Sequence, residues 1–151
     1  MKMTKLQAIR QFCHIVCGEP IVIAMRRDEE NNWKMDLNTE NKSPRLIIPS
    51  NIYAPSTKED KQFRQNFIER CPLARGFSNI TLTLLHECGH WMTRSVWDSF
   101  EYDKWDKKTT DQIEYMKIPW ELLATDWAIC WLNCPANRQL AKDFERDYFG
   151  Y

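Results

Sequence analysis

The amino-acid sequence predicts an α+β fold in which a short antiparallel sheet packs on a pair of helices carrying a metal site. Three observations lead there. Between Ile21 and Ile48 lie three short β-branched or alternating runs, Ile21–Met25, Trp33–Leu37 and Arg45–Ile48, separated by polar turns. Two later stretches, 79–93 and 119–133, carry apolar residues at helical spacing with no interior proline. The first of these contains His86-Glu87-Cys88-Gly89-His90, two imidazoles one helical turn apart with an acid between them. No repeat, low-complexity tract or linker interrupts the chain, so residues 1–151 read as a single domain.

Taken in order, residues 3–17 place Leu6, Ile9, Phe12, Cys13 and Val16 on one helical stripe, which Gly18 and Pro20 end. His14 falls off that stripe, with no second ligand at helical spacing, and reads as an exposed or locally bonded histidine. The three strand runs follow as an antiparallel meander, with turns at Arg26–Asn32 and Asn38–Ser43 and a stop at Pro49. Pro55 and Ser56 signal the start of a charged helix over Lys58–Arg70, with Phe63, Phe67 and Ile68 inward. Pro72, Gly76 and Phe77 mark a loop, and Ser78 is a candidate cap for the next helix. The tail from Ala136 to Tyr151 reads as a last helix packed through Leu140 and Phe144.

Composition narrows the function classes. Seven Trp and seven Phe in 151 residues supply large rings for a core or groove. Lys+Arg and Asp+Glu are equal at 21, so the charge footprint of a nucleic-acid binder is lacking and nucleic acid is disfavoured as a partner. No apolar run is long enough to span a bilayer, and the charged start lacks the apolar stretch of a secretory signal, so a cytoplasmic location without membrane association is expected. The six cysteines include no Cys-x-x-Cys; buried free thiols are expected in preference to a disulfide framework or a four-cysteine zinc site.

The chemistry concentrates on residues 79–93. On a helix, His86 and His90 stand one above the other, roughly 5–6 Å apart at Cβ, so both rings can reach one ion at about 2.0–2.1 Å. Thr83, Arg94 and Asn79 share that face, while Ile80, Leu84, Leu85, Cys88, Trp91 and Met92 occupy the other. Gly89 costs about 1 kcal/mol of helix propensity against Ala, which makes sense where another helix must come close. Glu87, beside the ligands, is placed to act on a metal-bound water as general base.

Catalytic zinc takes three protein ligands and keeps a position open. Glu121, 31 residues past His90, is the third candidate, on a helix begun by Pro119 whose face also carries Ala124, Thr125, Ala128 and Leu132. The competing reading leaves Glu121 in the first turn facing water. Asp126 is a candidate to hold the second nitrogen of a ligating histidine, with plain exposure as the alternative.

His86-Glu87-x-x-His90 followed by Glu121-x-x-Ala124 resembles the gluzincin arrangement of zinc metallopeptidases. Glu121-x-x-Ala124-x-x-Trp127-Ala128 with Leu132-Asn133-Cys134-Pro135 is similar to small ImmA/IrrE-type metallopeptidases, and His86 to Arg94 resembles the metallopeptidase domain of ArdC-type antirestriction proteins of mobile elements. The likeness covers residues 78–135 and departs from the first family at Leu123 and Thr125, where a further acid or amide is usual. It implies a minimal zincin-like domain with Zn2+ on His86, His90 and Glu121, Glu87 as general base and an intracellular protein or peptide as substrate, such as a regulator or defence protein targeted by a mobile element. An upstream edge strand aligns the substrate in such folds, and Arg45–Ile48 is the candidate. Residues 94–118, with Trp97, Phe100, Tyr102, Trp105 and Tyr115, read either as a flap over the metal or as a surface excursion. Two rival functions stay open at this level: a catalytically silent protein-binding regulator, and a nucleic-acid-associated antirestriction-type protein.

Overall fold

A computed structural model of the chain describes residues 2–26, 33–36, 42–49, 58–99 and 118–150. In chain order these form α1 (Lys5–Cys17), β1 (Val22–Arg26), β2 (Lys34–Asp36), β3 (Arg45–Pro49), α2 (Lys58–Arg70), α3 (Asn79–Met92), α4 (Pro119–Leu132) and α5 (Pro135–Phe149). Short 3-10 turns cover Pro72–Gly76 and Arg94–Ser99. The architecture is α+β, mostly helical, with one small sheet.

Local chemistry sets the ends of α1. The Thr4 hydroxyl accepts from the Gln7 amide at 3.1 Å while the Gln7 side chain accepts from the Thr4 amide at 2.8 Å, a reciprocal capping box. Gly18 closes the helix at φ 74°, in the left-handed region where a side chain would be strained. Ile9, Phe12, Cys13 and Val16 are buried as their spacing predicts, and Phe12 stacks on Phe144 of α5 at 4.6 Å. His14 is exposed on the outer face.

The sheet corrects two expectations. A meander keeps chain neighbours adjacent, but the observed order is β1-β3-β2. β3 pairs antiparallel with β2, Met35 opposite Leu46, and parallel with β1, Ile23 opposite Leu46. The expected antiparallel sheet is therefore mixed. Alternation tells which side chains face inward, and Met35, Leu46 and Ile48 are indeed buried; it carries no information about where the connections cross. The second correction follows: Arg45–Ile48 is the central strand, paired on both sides, and cannot offer a free edge. The edge that lies against α3 belongs to β2.

α2 has the predicted bounds, with Phe67 buried and Phe63 and Ile68 half-buried. Its Arg64 donates to the Phe77 carbonyl at 2.6 Å and to the Asn79 side chain at 3.1 Å, tying α2 to the start of α3. The Ser78 side chain does not cap α3. A carboxylate from the far end of the chain does: Glu145 of α5 accepts from the Ser78 amide and from the Thr81 hydroxyl, each at 2.6 Å. A negative charge there satisfies donors that the helix cannot pair internally and complements its dipole.

All six cysteines are free thiols; Cys13, Cys17, Cys71 and Cys88 are buried, whereas Cys130 and Cys134 are exposed. Among the described residues no helix is long and apolar enough to cross a membrane. The turns at 27–32 and 37–41, the helix-start signal at Pro55-Ser56 and the aromatics Phe100, Tyr102, Trp105 and Tyr115 lie outside the described residues.

Because Glu145 is buried and makes two short bonds to the first turn of α3, Glu145→Ala is expected to destabilise the fold by about 2–3 kcal/mol in urea titration. Glu145→Gln, which keeps an acceptor in place, is expected to lose less.

Candidate metal centre

The site exists because two helices touch at a glycine. α3 and α4 form the most extensive helix pair of the described residues, and a Cβ added at Gly89 would fall 3.1 Å from the Ala124 Cα and closer still to its carbonyl oxygen. Since the obstacle is backbone, no side-chain adjustment relieves it. At this separation α4 brings Glu121 over the histidines of α3. The packing role inferred for Gly89 is thus present in the structure, and so is the small-residue face of Ala124 and Ala128 opposite it, both fully buried.

His86, His90 and Glu121 come together in the interior, at 5%, 5% and 3% exposure, which removes the reading of Glu121 as a water-facing first-turn acid. Nε2 of His86 and of His90 lie 3.1 and 2.9 Å from the same carboxylate oxygen, Glu121 Oε1. An ionised carboxylate only accepts, so each ring donates through Nε2–H. The two rings meet edge to face, with centroids 4.7 Å apart. The edge of the Phe63 ring closes one side, its centroid 5.4 Å from that of His86.

Two imidazole nitrogens and a carboxylate oxygen within 4.8 Å of one another are a donor set that can hold a metal ion. Ligands about 2.0–2.1 Å from a tetrahedral ion stand about 3.3 Å apart, so the two histidine–Glu121 separations would need to open by only a few tenths of an ångström. To hold an ion, each ring would give up its Nε2 proton and present that nitrogen's lone pair.

Outside this trio, Thr125 rather than Asp126 supports a histidine. The Thr125 hydroxyl lies 2.9 Å from His86 Nδ1 and is fully buried. A hydroxyl donates or accepts: it gives its proton to Nδ1 when Nε2 carries the ring proton, and receives one from Nδ1–H when Nε2 binds an ion. Thr125 lies one turn beyond Glu121 on the same face of α4, which is why both meet the same ring. Asp126, about 100° further round, instead pairs with Arg70 at the end of α2 and is half exposed.

Glu87 sits beside the cluster at 7% exposure, and its Oε1 accepts from the Met35 amide of β2 at 3.0 Å. Burial pushes its carboxyl above the usual range, opposed by His90 and His86 and by the Met35 hydrogen bond. Burial would also raise Glu121, but the charge of His90 and hydrogen bonds from both rings outweigh it and hold that carboxyl well below its usual range. For His90 burial favours the neutral ring, yet attraction to Glu121 wins and the pKa rises. The two acids are driven apart: one is a permanent anion between the imidazoles, the other holds a proton more readily. Between α1 and the opposite face of α3, hydrogen bonding among buried thiols and burial itself push the thiols of Cys17 and Cys88 upward, as suits packing groups.

The sequence-predicted residues His86, Glu87, His90 and Glu121 converge, while His14 and Asp126 lie elsewhere. Thr125 had a signal, its place on the Glu121 face; Phe63 and Met35 had none. Comparison with models of protein families, with curated proteins and with solved structures finds no match for this chain.

Thr125→Val keeps volume and removes the hydroxyl, so metal affinity is expected to fall about 10- to 100-fold in chelator competition while the fold persists. Metal must also displace the His90 proton, whose pKa stands above the ordinary imidazole value of 6.5. Apparent affinity is accordingly expected to weaken as pH falls from about 8 to about 6, by about tenfold per unit for each proton displaced.

Proposed function

We propose that this chain is a zinc-dependent peptidase with a minimal zincin-like fold, acting on a protein or peptide substrate. The observation that carries the reading is Glu87. A structural ion calls only for its ligands, and Glu87 is a further acid outside that donor set, buried at the cluster and oriented by a hydrogen bond. Burying a carboxylate without a ligand or counter-charge is costly, so a chemical role accounts for it better than packing does. The resemblance of His86-Glu87-x-x-His90 and Glu121-x-x-Ala124 to gluzincins points the same way.

Zinc is preferred for two imidazoles and one carboxylate with an open position; when bound it acidifies water and polarises a carbonyl oxygen. Glu87 takes one proton from the attacking water as its oxygen bonds to the peptide carbon. The same carboxyl then returns that proton to the amide nitrogen as the C–N bond breaks, leaving a carboxylic acid, which keeps the second water proton, and an amine. A carboxyl whose proton affinity burial has raised suits both halves of that exchange. Thr125, at Nδ1 of His86, keeps that ring's ligand nitrogen in place. β2, the edge strand beside α3 among the described residues, takes the substrate-aligning role expected of Arg45–Ile48.

Glu87→Gln tests this. With about one zinc still bound, cleavage of a proteome-derived peptide pool, read as new termini by mass spectrometry, is expected to drop about 100- to 10,000-fold. Undiminished cleavage by the variant, or a wild-type zinc protein that cleaves nothing in the pool, would count against the peptidase and favour a silent binding module.

A further inference from the structure

β2 is three residues long, yet its middle residue meets two different environments at once. The Met35 side chain, perpendicular to the sheet, is 2% exposed in the core. Its amide lies in the plane of the sheet. In the antiparallel register Lys34 opposes Ile47, Met35 opposes Leu46 and Asp36 opposes Arg45. Alternate residues of such a pair direct their amides outward, and Met35 N–H points off the edge to Glu87 Oε1 at 3.0 Å. The contact is buried and joins residues 52 apart in the chain.

We propose that the backbone amide of Met35 is the positioning group of Glu87: by anchoring Oε1 it reserves the other carboxylate oxygen for the reacting water. A general base works when a third group orients it, and here the third group is the main chain of an edge strand. A slip of β2 by one residue against β3 would turn this amide inward, so the sheet register sets the aim of the carboxylate. The anchor also restricts how a substrate uses β2: a carbonyl pairing with Met35 N–H would have to displace Glu87. The assignment rests on the peptidase reading, and its test separates the two.

Proline at 35 deletes the amide without breaking a bond to β3, because that amide faces away from the ladder. Leu at 35 keeps the amide and an apolar side chain. For a peptide that the wild-type zinc enzyme cleaves in the pool, Met35→Pro is expected to lower kcat about 100-fold with KM and zinc content little changed, whereas Met35→Leu loses less than about threefold. Equal kcat in the two variants overturns the proposal. A second measurement stands apart from catalysis and from the folding of the proline variant. In zinc-loaded protein, Met35 amide exchange followed by NMR is expected to quicken about tenfold or more in Glu87→Ala relative to wild type. Unchanged exchange overturns the proposal; quickened exchange in a protein that cleaves nothing upholds the anchor and removes the peptidase.

Discussion

The contact between Gly89 and the Ala124 backbone is the constraint on which the site depends. Helices normally pack with axes 8–10 Å apart, and side chains at the crossing set that distance. Here one partner has no side chain at the crossing and the other has a methyl, so α4 comes near enough for the short Glu121 side chain to reach both imidazoles of α3. Any β-carbon at position 89 would push on a carbonyl carbon and oxygen that cannot rotate away. A helix pays for glycine in propensity, and in this chain that loss accompanies the close approach that brings His86, His90 and Glu121 together.

Once the helices are that close, the interior has to accommodate two acids and two imidazoles, all below a tenth exposed. Isolated buried charges are prohibitive, and each of these groups has a specific answer. Glu121 is held as an anion between two ring donors. His86 leans on Thr125 through its other nitrogen and on Phe63 through its ring. Glu87 has the Met35 amide. The electrostatic asymmetry between Glu121 and Glu87 then follows from position alone: the first lies between the rings, the second beside them, where burial prevails.

Support for this arrangement is drawn from almost the whole chain. Glu145, in the last helix, fixes the first turn of α3; Arg64, in α2, holds the loop that leads into it; β2 pins Glu87 from the sheet side. α1 covers the other face of α3 through Cys13 and Cys17 against Cys88, where small apolar side chains allow tight packing. The edge of β2 and the ends of α3 and α4 are thereby set relative to one another by buried contacts.

How much of this was legible in advance differs by residue, for physical reasons. His86, Glu87 and His90 were readable because helical spacing is a local property: residues one turn apart must share a face whatever the fold. Gly89 and Glu121 were readable at one remove, since a glycine and a row of small side chains imply close approach, although sequence alone left Glu121 free to face water. α1 and α2 were visible through their caps and apolar stripes, and the three strands through their alternation. Strand order was not visible, because pairing depends on how connections cross, and so the central β3 was taken for an edge. Asp126 was a candidate support for a histidine on chemical type, with plain exposure as the alternative; the 100° step per residue gave the place to Thr125 and sent Asp126 outward to Arg70. Glu145 and Met35 act on α3 across 64 and 52 residues, a relation no local pattern encodes. The sequence by itself determined which side chains could bind a metal and on which helical face; only the tertiary structure decided what orients them, because the orienting groups meet the site through space and not along the chain.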